Sequence, residues 1–431
     1  MEYLPILVLI ISFVGLLAIG TPVAWSIAIS STLTILISLP ALPALTTVAQ
    51  RIGVGLDSFA LLAIPFFILS GDLMNRGGIA HRLIAFAKTL VGALPGGLAL
   101  INVIAAMLMG AIAGSALASA SAMGSILGPE MEKEGYSKEF GAAVNITSAT
   151  TGLIIPPSNV LIVYSLASGG ASIAALFLAG YIPGILTGLF LMAVASFWAK
   201  KKGYQLGKRS TLKQVVKTFV EAVPSLFLLV LVIGGIVLGI FTATEASAIA
   251  VLYTLVLGFY YKEISLKALP EVLLSSSCTT AVVMLLIGAS MSMSWALSFE
   301  NIPQEISSAL LGISDNKIII LLIINLILLF VGIFMDITPS VLIFTPIFLP
   351  VVSKLGIDPV HFGIIMVLNL CIGLCTPPVG SVLFVGVGVA KTSIQKVIRP
   401  LLPLFLAMII ALFLITYIPQ ITMWLPNLFD L

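Results

Sequence analysis

The residues of this chain that could do chemistry fall in two clusters 221 positions apart. The first holds Ser115, Ser119 and Ser121, then Asn145, Thr147, Ser148, Thr150 and Thr151, and closes on Gly152-Leu153-Ile154-Ile155-Pro156-Pro157. The second holds Asp336, Thr338, Ser340 and Asn369, and closes on Gly373-Leu374-Cys375-Thr376-Pro377-Pro378. Proline removes a backbone donor and clashes with the preceding turn, so each Pro-Pro pair must open its helix. Carbonyls freed at membrane depth cannot face lipid; they need protein, water or an ion. Oxygen ligands of this kind suit a hard cation such as Na+. The negative C-terminal ends of half-helices let such a site work with few carboxylates.

Asp336 is the sharpest single residue, because a carboxylate inside the apolar stretch Leu328–Leu349 is costly and usually functional. Cation binding is favoured over its alternatives, a cap for the segment after Pro339 or a protonated side chain. Ser115, its counterpart at the 221 offset, is neutral, so the first site leans on backbone dipoles. Hydroxyls in apolar helices often bond back to a carbonyl of the preceding turn. That explains Ser30 or Ser196, but five polar side chains in the seven positions 145–151 exceed what packing needs. Glu245 reads as a first-turn residue of a helix capped by Thr242 or Thr244. His81 and His361 read as interfacial, and Cys278, Cys371 and Cys375 as small core hydrophobes. No phosphate-binding loop, His-Glu-x-x-His or Gly-x-Ser-x-Gly occurs, so neither direct ATP coupling nor an enzyme is expected.

The elements that must position these groups follow from composition. With 60% hydrophobic and 9% charged residues, the chain is a polytopic helical membrane protein. Its mean hydropathy is +1.23. The first apolar stretch, from Leu4, lacks a basic leader and reads as a retained span. Expected spans are 4–20, 22–39, 57–75, 139–167, 172–198, 222–241, 243–261, 273–298, 359–390 and 400–418. Stretches 96–134 and 317–355 have polar centres and read as re-entrant hairpins, giving about ten transmembrane helices, two of them broken. Segments 81–94, 211–220 and 302–313 look like interfacial amphipathic helices.

Placing loops 76–95, 132–139, 199–220, 262–270 and 391–399 on one side collects 17 of the 20 Lys and Arg residues there. That side is cytoplasmic by the positive-inside bias, Lys200 to Lys202 and Lys208-Arg209 included, and both termini fall outside. The net charge of +3 thus reflects orientation, and no nucleic-acid partner is suggested. At the same 221 offset Ser119 matches Ser340, Pro129 matches Pro350, Lys133 matches Lys354 and Gly135 matches Gly356. Five crossings separate the hairpins, so the second copy is flipped: an inverted repeat, the architecture of alternating access. The domain reading is scaffold 1–95, first transport repeat 96–167, scaffold and connectors 168–316, second transport repeat 317–390 and C-terminal helix 391–431.

Gly239-Ile240-Phe241-Thr242-Ala243-Thr244-Glu245-Ala246, Gly-Leu-Ile-Ile-Pro-Pro-Ser at 152–158 and Gly-Leu-Cys-Thr-Pro-Pro-Val-Gly at 373–380 resemble the large membrane subunit of TRAP (tripartite ATP-independent periplasmic) transporters. The resemblance covers essentially the whole length; Ala243 departs from a proline expected in many relatives. It implies an elevator mechanism in the bacterial inner membrane. A transport domain of both hairpins and both broken helices would slide against a scaffold, carrying substrate and Na+. It also implies a small four-helix membrane subunit and a periplasmic substrate-binding protein as partners, with organic acids such as sialic acids and C4-dicarboxylates as substrates. The outer N terminus fits a chain not fused to the small subunit. Carried over by position, one Na+ site takes Ser115, Asn145 and carbonyls from Gly152 to Pro156; the other takes Asp336, Thr376 and carbonyls around Gly373. Ser119 and Thr338, beside the hairpin tips, join the ion ligands. The substrate anion is placed on Ser121, Thr151, Pro157, Ser340 and Pro378, held by helix N-termini and hydroxyls, since no Lys or Arg is placed to bind it. A self-sufficient symporter of the divalent-anion type is the alternative, and a membrane-embedded lipid enzyme the reading from another class.

Overall fold

A computed structural model of the chain describes residues 4–204, 207 and 210–431; the Lys208-Arg209 part of the basic loop lies outside them. All regular structure among the described residues is helical. Leading the chain are α1 (Leu4–Ala18), α2 (Val23–Ser38), α3 (Ala41–Leu56), a 3-10 turn (Phe59–Leu62), α4 (Ala63–Arg76) and α5 (Ile79–Val91). Next come α6 (Gly97–Ala113), α7 (Ala116–Lys133), α8 (Lys138–Thr151), α9 (Asn159–Ala167) and α10 (Ile173–Lys202). The middle holds α11 (Leu212–Val237), α12 (Ala243–Tyr260), α13 (Leu269–Phe299) and α14 (Ile302–Ile313). Closing the chain are α15 (Lys317–Phe334), α16 (Ile337–Lys354), α17 (Pro359–Gly373), α18 (Ser381–Val389), α19 (Ile394–Tyr417) and α20 (Gln420–Leu428). Among the described residues, eight helices are long and apolar enough to cross a membrane, both legs of the second hairpin among them.

Both breaks fall where the prolines require. Helix α8 stops at Thr151 and α9 resumes at Asn159; α17 stops at Gly373 and α18 resumes at Ser381. Six consecutive elements, α5 to α10, recur as α14 to α19 with starts shifted by 220 to 223 positions. The duplication is therefore wider in structure than the short stretch where residue identities betray it. Starts are set by capping: the Ser137 side chain accepts from Phe140 N at 3.3 Å, and Asp358 accepts from Val360 N at 2.7 Å, with Pro359 at the first helical position.

Three elements differ from expectation. Segment 211–220 is no separate surface helix. A Thr211–Gln214 capping box starts α11 there, nothing interrupts it, and a polar beginning runs straight into an apolar span. Helices α3 and α20 were not foreseen, because their apolar runs are short and carry Arg51 or several prolines. The expected Thr242–Glu245 cap is present as a reciprocal pair: Glu245 Oε2 accepts from Thr242 N at 2.8 Å, and Thr242 Oγ1 accepts from Glu245 N at 3.2 Å.

Contacts gather the basic loops on one face. Arg76 pairs with Glu271 at 3.0 Å, Lys88 with Glu130 at 3.1 Å and Lys138 with Glu132 at 3.3 Å. Thr89 meets Thr218 at 3.0 Å, Tyr204 stacks on Tyr136, and Lys391 shares a cavity with Glu132 and Lys138. Arg51 instead lies over Trp295, and Lys354 donates to Ser307, both away from that face. His361 is buried, correcting the interfacial reading: Nδ1 lies 2.7 Å from Thr422 Oγ1 and Nε2 lies 3.4 Å from the Thr416 carbonyl. It ties α17 to α19 and the unforeseen α20. Cys371 and Cys375 are buried as expected, whereas Cys278 is exposed on α13.

Candidate functional site

One cavity of about 440 Å³ brings parts of both clusters together. Its lining takes Gly114 to Ala118 from the first hairpin tip and Asp336 to Thr338 from the second. The breaks add Leu153, Asn159 and Val160 from one half, and Leu374 and Val382 from the other. Helices α4 and α13 close the remaining side with Ile64, Ile68, Asp72, Asn75, Thr279 and Leu286. Neither Lys, Arg nor His is among the lining residues.

Gly152 and Gly373 explain how the breaks can sit this close to the hairpins. A Cβ on Gly152 would lie 2.2 Å from Gly110 Cα, and one on Gly373 would lie 2.5 Å from Gly332 Cα. Each break is thus pressed backbone to backbone against the first leg of its own hairpin, which only glycine allows. Polar bridges repeat the arrangement deeper in each half: Ser148 donates to Asn102 Oδ1 at 2.9 Å, and Asn369 Nδ2 donates to Asn325 Oδ1 at 2.6 Å. All four residues are buried.

The two tips are not equivalent. Ser115 caps α7, its Oγ accepting from Ala118 N at 3.3 Å. Asp336 holds the same position on α16 but makes no side-chain cap bond, and its carboxylate is left facing the cavity. The positive ends of α7 and α16 point into the same space, an arrangement that favours negative charge.

Other expected site residues are dispersed. Ser119 Oγ and Asn145 Oδ1 are buried without a partner among the described residues, while Asn145 Nδ2 donates to the Ala120 carbonyl at 2.7 Å. Asn145 lines a separate cavity of about 330 Å³ on the basic face, with Asn102, Glu132, Lys138 and Lys391. Thr147, Thr150 and Thr151 all donate to carbonyls of the preceding turn, and Thr151 does so at 2.6 Å from the Ser148 oxygen. Backbone bonding therefore accounts for the donor protons of these three threonines. In the second half, Thr376 donates to the Ile372 carbonyl and Ser340 to the Asp336 carbonyl, each at 2.8 Å. Pro156 and Pro157 are buried, Pro378 is exposed, and Ser121 is exposed off the cavity. Both Pro-Pro bonds, 156-157 and 377-378, are cis.

Asp72, Asn75, Asn159 and Thr279 were missed as lining residues. Asp72 had a signal, being a carboxylate within an apolar run like Asp336. Asn159 and Thr279 had none, since only the folded chain shows which face of α9 or α13 meets the tips.

An all-helical chain whose two tips and two breaks close on one pocket, framed by helices fit to cross a bilayer, has the architecture of a membrane transport protein. More narrowly, the chain belongs to the family described as the tripartite ATP-independent periplasmic transporter, DctM component, which it matches over residues 10–421. It is 57% identical over 429 residues to the uncharacterized protein YgiK of Salmonella typhimurium, covering 99% of both chains. It is 42% identical to the isethionate TRAP transporter permease protein DctMQ of Oleidesulfovibrio alaskensis, covering 97% of this chain and 66% of that one. The C4-dicarboxylate TRAP transporter large permease protein DctM of Rhodobacter capsulatus is 39% identical, with 96% and 97% covered. The fold is similar to that of the Alcanivorax borkumensis YdaH transporter, with a TM-score of 0.64 at 15% identity over 88% of each chain.

Proposed function

We propose that this TRAP large permease subunit is the transport component of a Na+-coupled importer of organic acids. It would work with a small four-helix membrane subunit and a periplasmic substrate-binding protein, in the bacterial inner membrane with both termini periplasmic. The observation that carries the reading is the shared cavity at both tips and both breaks, where helix N-termini point at a space with no basic side chain. An anion entering it meets backbone and hydroxyl donors, and Asp336 offers a carboxylate on which a cation would bind.

Sodium would bind in two places, one at Ser115, Ser119, Asn145 and the carbonyls from Gly152 to Pro156, the other at Asp336, Thr338, Thr376 and the carbonyls around Gly373. The substrate would lie between them, within reach of the tips. The organic-acid class follows the names of the C4-dicarboxylate and isethionate relatives; sialic acid stays within it by family resemblance.

Movement is proposed as an elevator of residues 96–167 and 317–390 against the rest, in an inverted repeat of about ten crossings and two re-entrant hairpins. Two contacts support the inversion. The α7–α8 junction meets Lys391, after α18, on the basic face, whereas Tyr164 near the end of α9 donates to the Pro359 carbonyl at the α16–α17 junction. Proteoliposomes holding both membrane subunits, supplied with binding protein, test the proposal. Wild type should accumulate an organic acid only under an inward Na+ gradient, and Asp336→Ala should abolish it in correctly inserted protein. Unchanged Na+ dependence in that variant would refute the cation assignment; uptake by this chain alone would favour the divalent-anion alternative.

A further inference from the structure

The cavity has a wall that neither hairpin supplies. Asp72, in the second-to-last turn of α4, is half-buried and faces it beside Asn75 and Thr279. Buried Ser276 on α13 donates to Asp72 Oδ2 at 2.7 Å and fixes the carboxylate, and no protein group among the described residues donates to Oδ1. Arg76, one turn along α4, is engaged elsewhere, paired with Glu271 at 3.0 Å. At the tips the ends of α7 and α16 offset negative charge. On the α4–α13 wall nothing in the lining offsets Asp72.

Asn75 also lines the neighbouring depression of about 810 Å³ on the basic face, where Arg76, His81 and Arg82 stand with Glu221 and Glu263. The cavity thus adjoins the side that carries the basic loops. An anion there is opposed by a carboxylate on the α4–α13 wall, with guanidinium groups just beyond.

We infer that Asp72 is a release residue: with the tips against α4 and α13, it weakens the hold on an anionic cargo and favours discharge toward the basic face. This rests on the anionic-cargo reading above. A cavity of about 440 Å³ is about 9 Å across as a sphere. Like charges at that separation, at an effective dielectric of about 20 to 40, lower affinity about five- to twentyfold.

Two measurements test the inference separately from the transport reading. In full-length protein carrying Cys278→Ser and Thr279→Cys, in inside-out vesicles, the anionic sulfonatoethyl and cationic trimethylammonioethyl methanethiosulfonates should react at rates set by the cavity field. Asp72→Asn should raise the anionic-to-cationic rate ratio about fivefold or more, and an unchanged ratio overturns the inference. Ser276→Ala, which frees the carboxylate while keeping its charge, should move the ratio less. In the reconstituted complex, the anion among succinate, sialic acid and isethionate that is transported provides the second readout. Asp72→Asn should lower its half-saturating concentration about fivefold on the cytoplasmic side and leave the outer side unchanged; equal shifts on both sides overturn the inference. No transport of any of the three would count against the cargo reading, and the thiol rates would still decide the field at Asp72.

Discussion

Replacing Gly152 by alanine asks whether each break is held by bare backbone. The new methyl would fall 2.2 Å from Gly110 Cα and 2.9 Å from the Ala106 oxygen. Non-bonded carbons settle at about 3.5–4.0 Å, so roughly 1.5 Å of room must be found. Side-chain rotation cannot supply it, because both obstacles are main chain. Helix α6 must draw away from α8 along a packed seam, at about 1–3 kcal/mol by the cost of overfilling a core. Gly128 on α7 and Gly234 on α11 have open space where a methyl would stand, so alanine there should stabilise by about 0.5–1 kcal/mol through helix propensity alone. The two kinds of site should move in opposite directions, separated by about 1.5–4 kcal/mol. Reversible unfolding in mixed micelles, or heat resistance of the purified protein, resolves that spread. The double variant Gly110→Ala/Gly152→Ala should lose less than the sum of its parts, since the first methyl already opens the seam. Gly152→Ala as stable as Gly128→Ala would refute the reasoning.

Three further outcomes follow from single contacts. Ser115→Ala should cost about 0.5–1 kcal/mol of stability by removing a cap, whereas Asp336→Ala, which removes none, should leave thermal stability near wild type. Equal losses would show that the tips are alike. Asn369→Leu should cost about 1 kcal/mol by leaving Asn325 Oδ1 without its donor, and pairing it with Asn325→Leu should recover part of the loss in a double-mutant cycle. A cysteine at Lys201 should be labelled by an impermeant maleimide only in inside-out vesicles; labelling in intact cells would overturn the orientation.

Much of this fold was legible because membrane helices advertise themselves through apolar length, and proline pairs show where they must open. The limits of the first hairpin, 96–134, came within one or two residues of the ends of α6 and α7 for that reason. Helix α3 was hidden by Pro40 and Pro43 at its start and by Thr46, Thr47, Gln50 and Arg51 within it, features that read as a loop until α13 packs on it. The site was half legible. Ser115, Asp336 and Thr338 meet in one cavity because they sit at tips, positions set by the same breaks in pattern that flagged them. Ser121 was drawn in by residue type, yet a helix turns its side chains through about 100° per residue. Sequence without a packing partner does not say which way a given turn faces, and so Ser121 lies away from the shared cavity, while Asn145 lines the basic-face cavity yet keeps its Oδ1 buried and unpartnered.

The strongest constraint on motion is how the halves interlock. Helix α9 packs on α16 of the other half, and α18 packs on α7. Cys375, in the second break, donates to the Ile146 carbonyl at 3.4 Å and lies 3.8 Å from Thr150 Oγ1, both in the first half. The second break is therefore wedged against α8 of the first half, and sliding one half alone would tear these buried contacts. Under the proposed elevator, both halves would therefore move as one body. Joining them should then be harmless, while joining either to α13 should stop transport. With Cys278→Ser as background, Thr150→Cys, oxidised onto native Cys375, makes the first link; a bis-maleimide between Thr279→Cys and Thr338→Cys, across the cavity, makes the second. Uptake in proteoliposomes should survive the first and vanish with the second. Arrest by the Thr150–Cys375 link, with the protein still folded, would mean that the halves move past each other, and the single-body argument would fail.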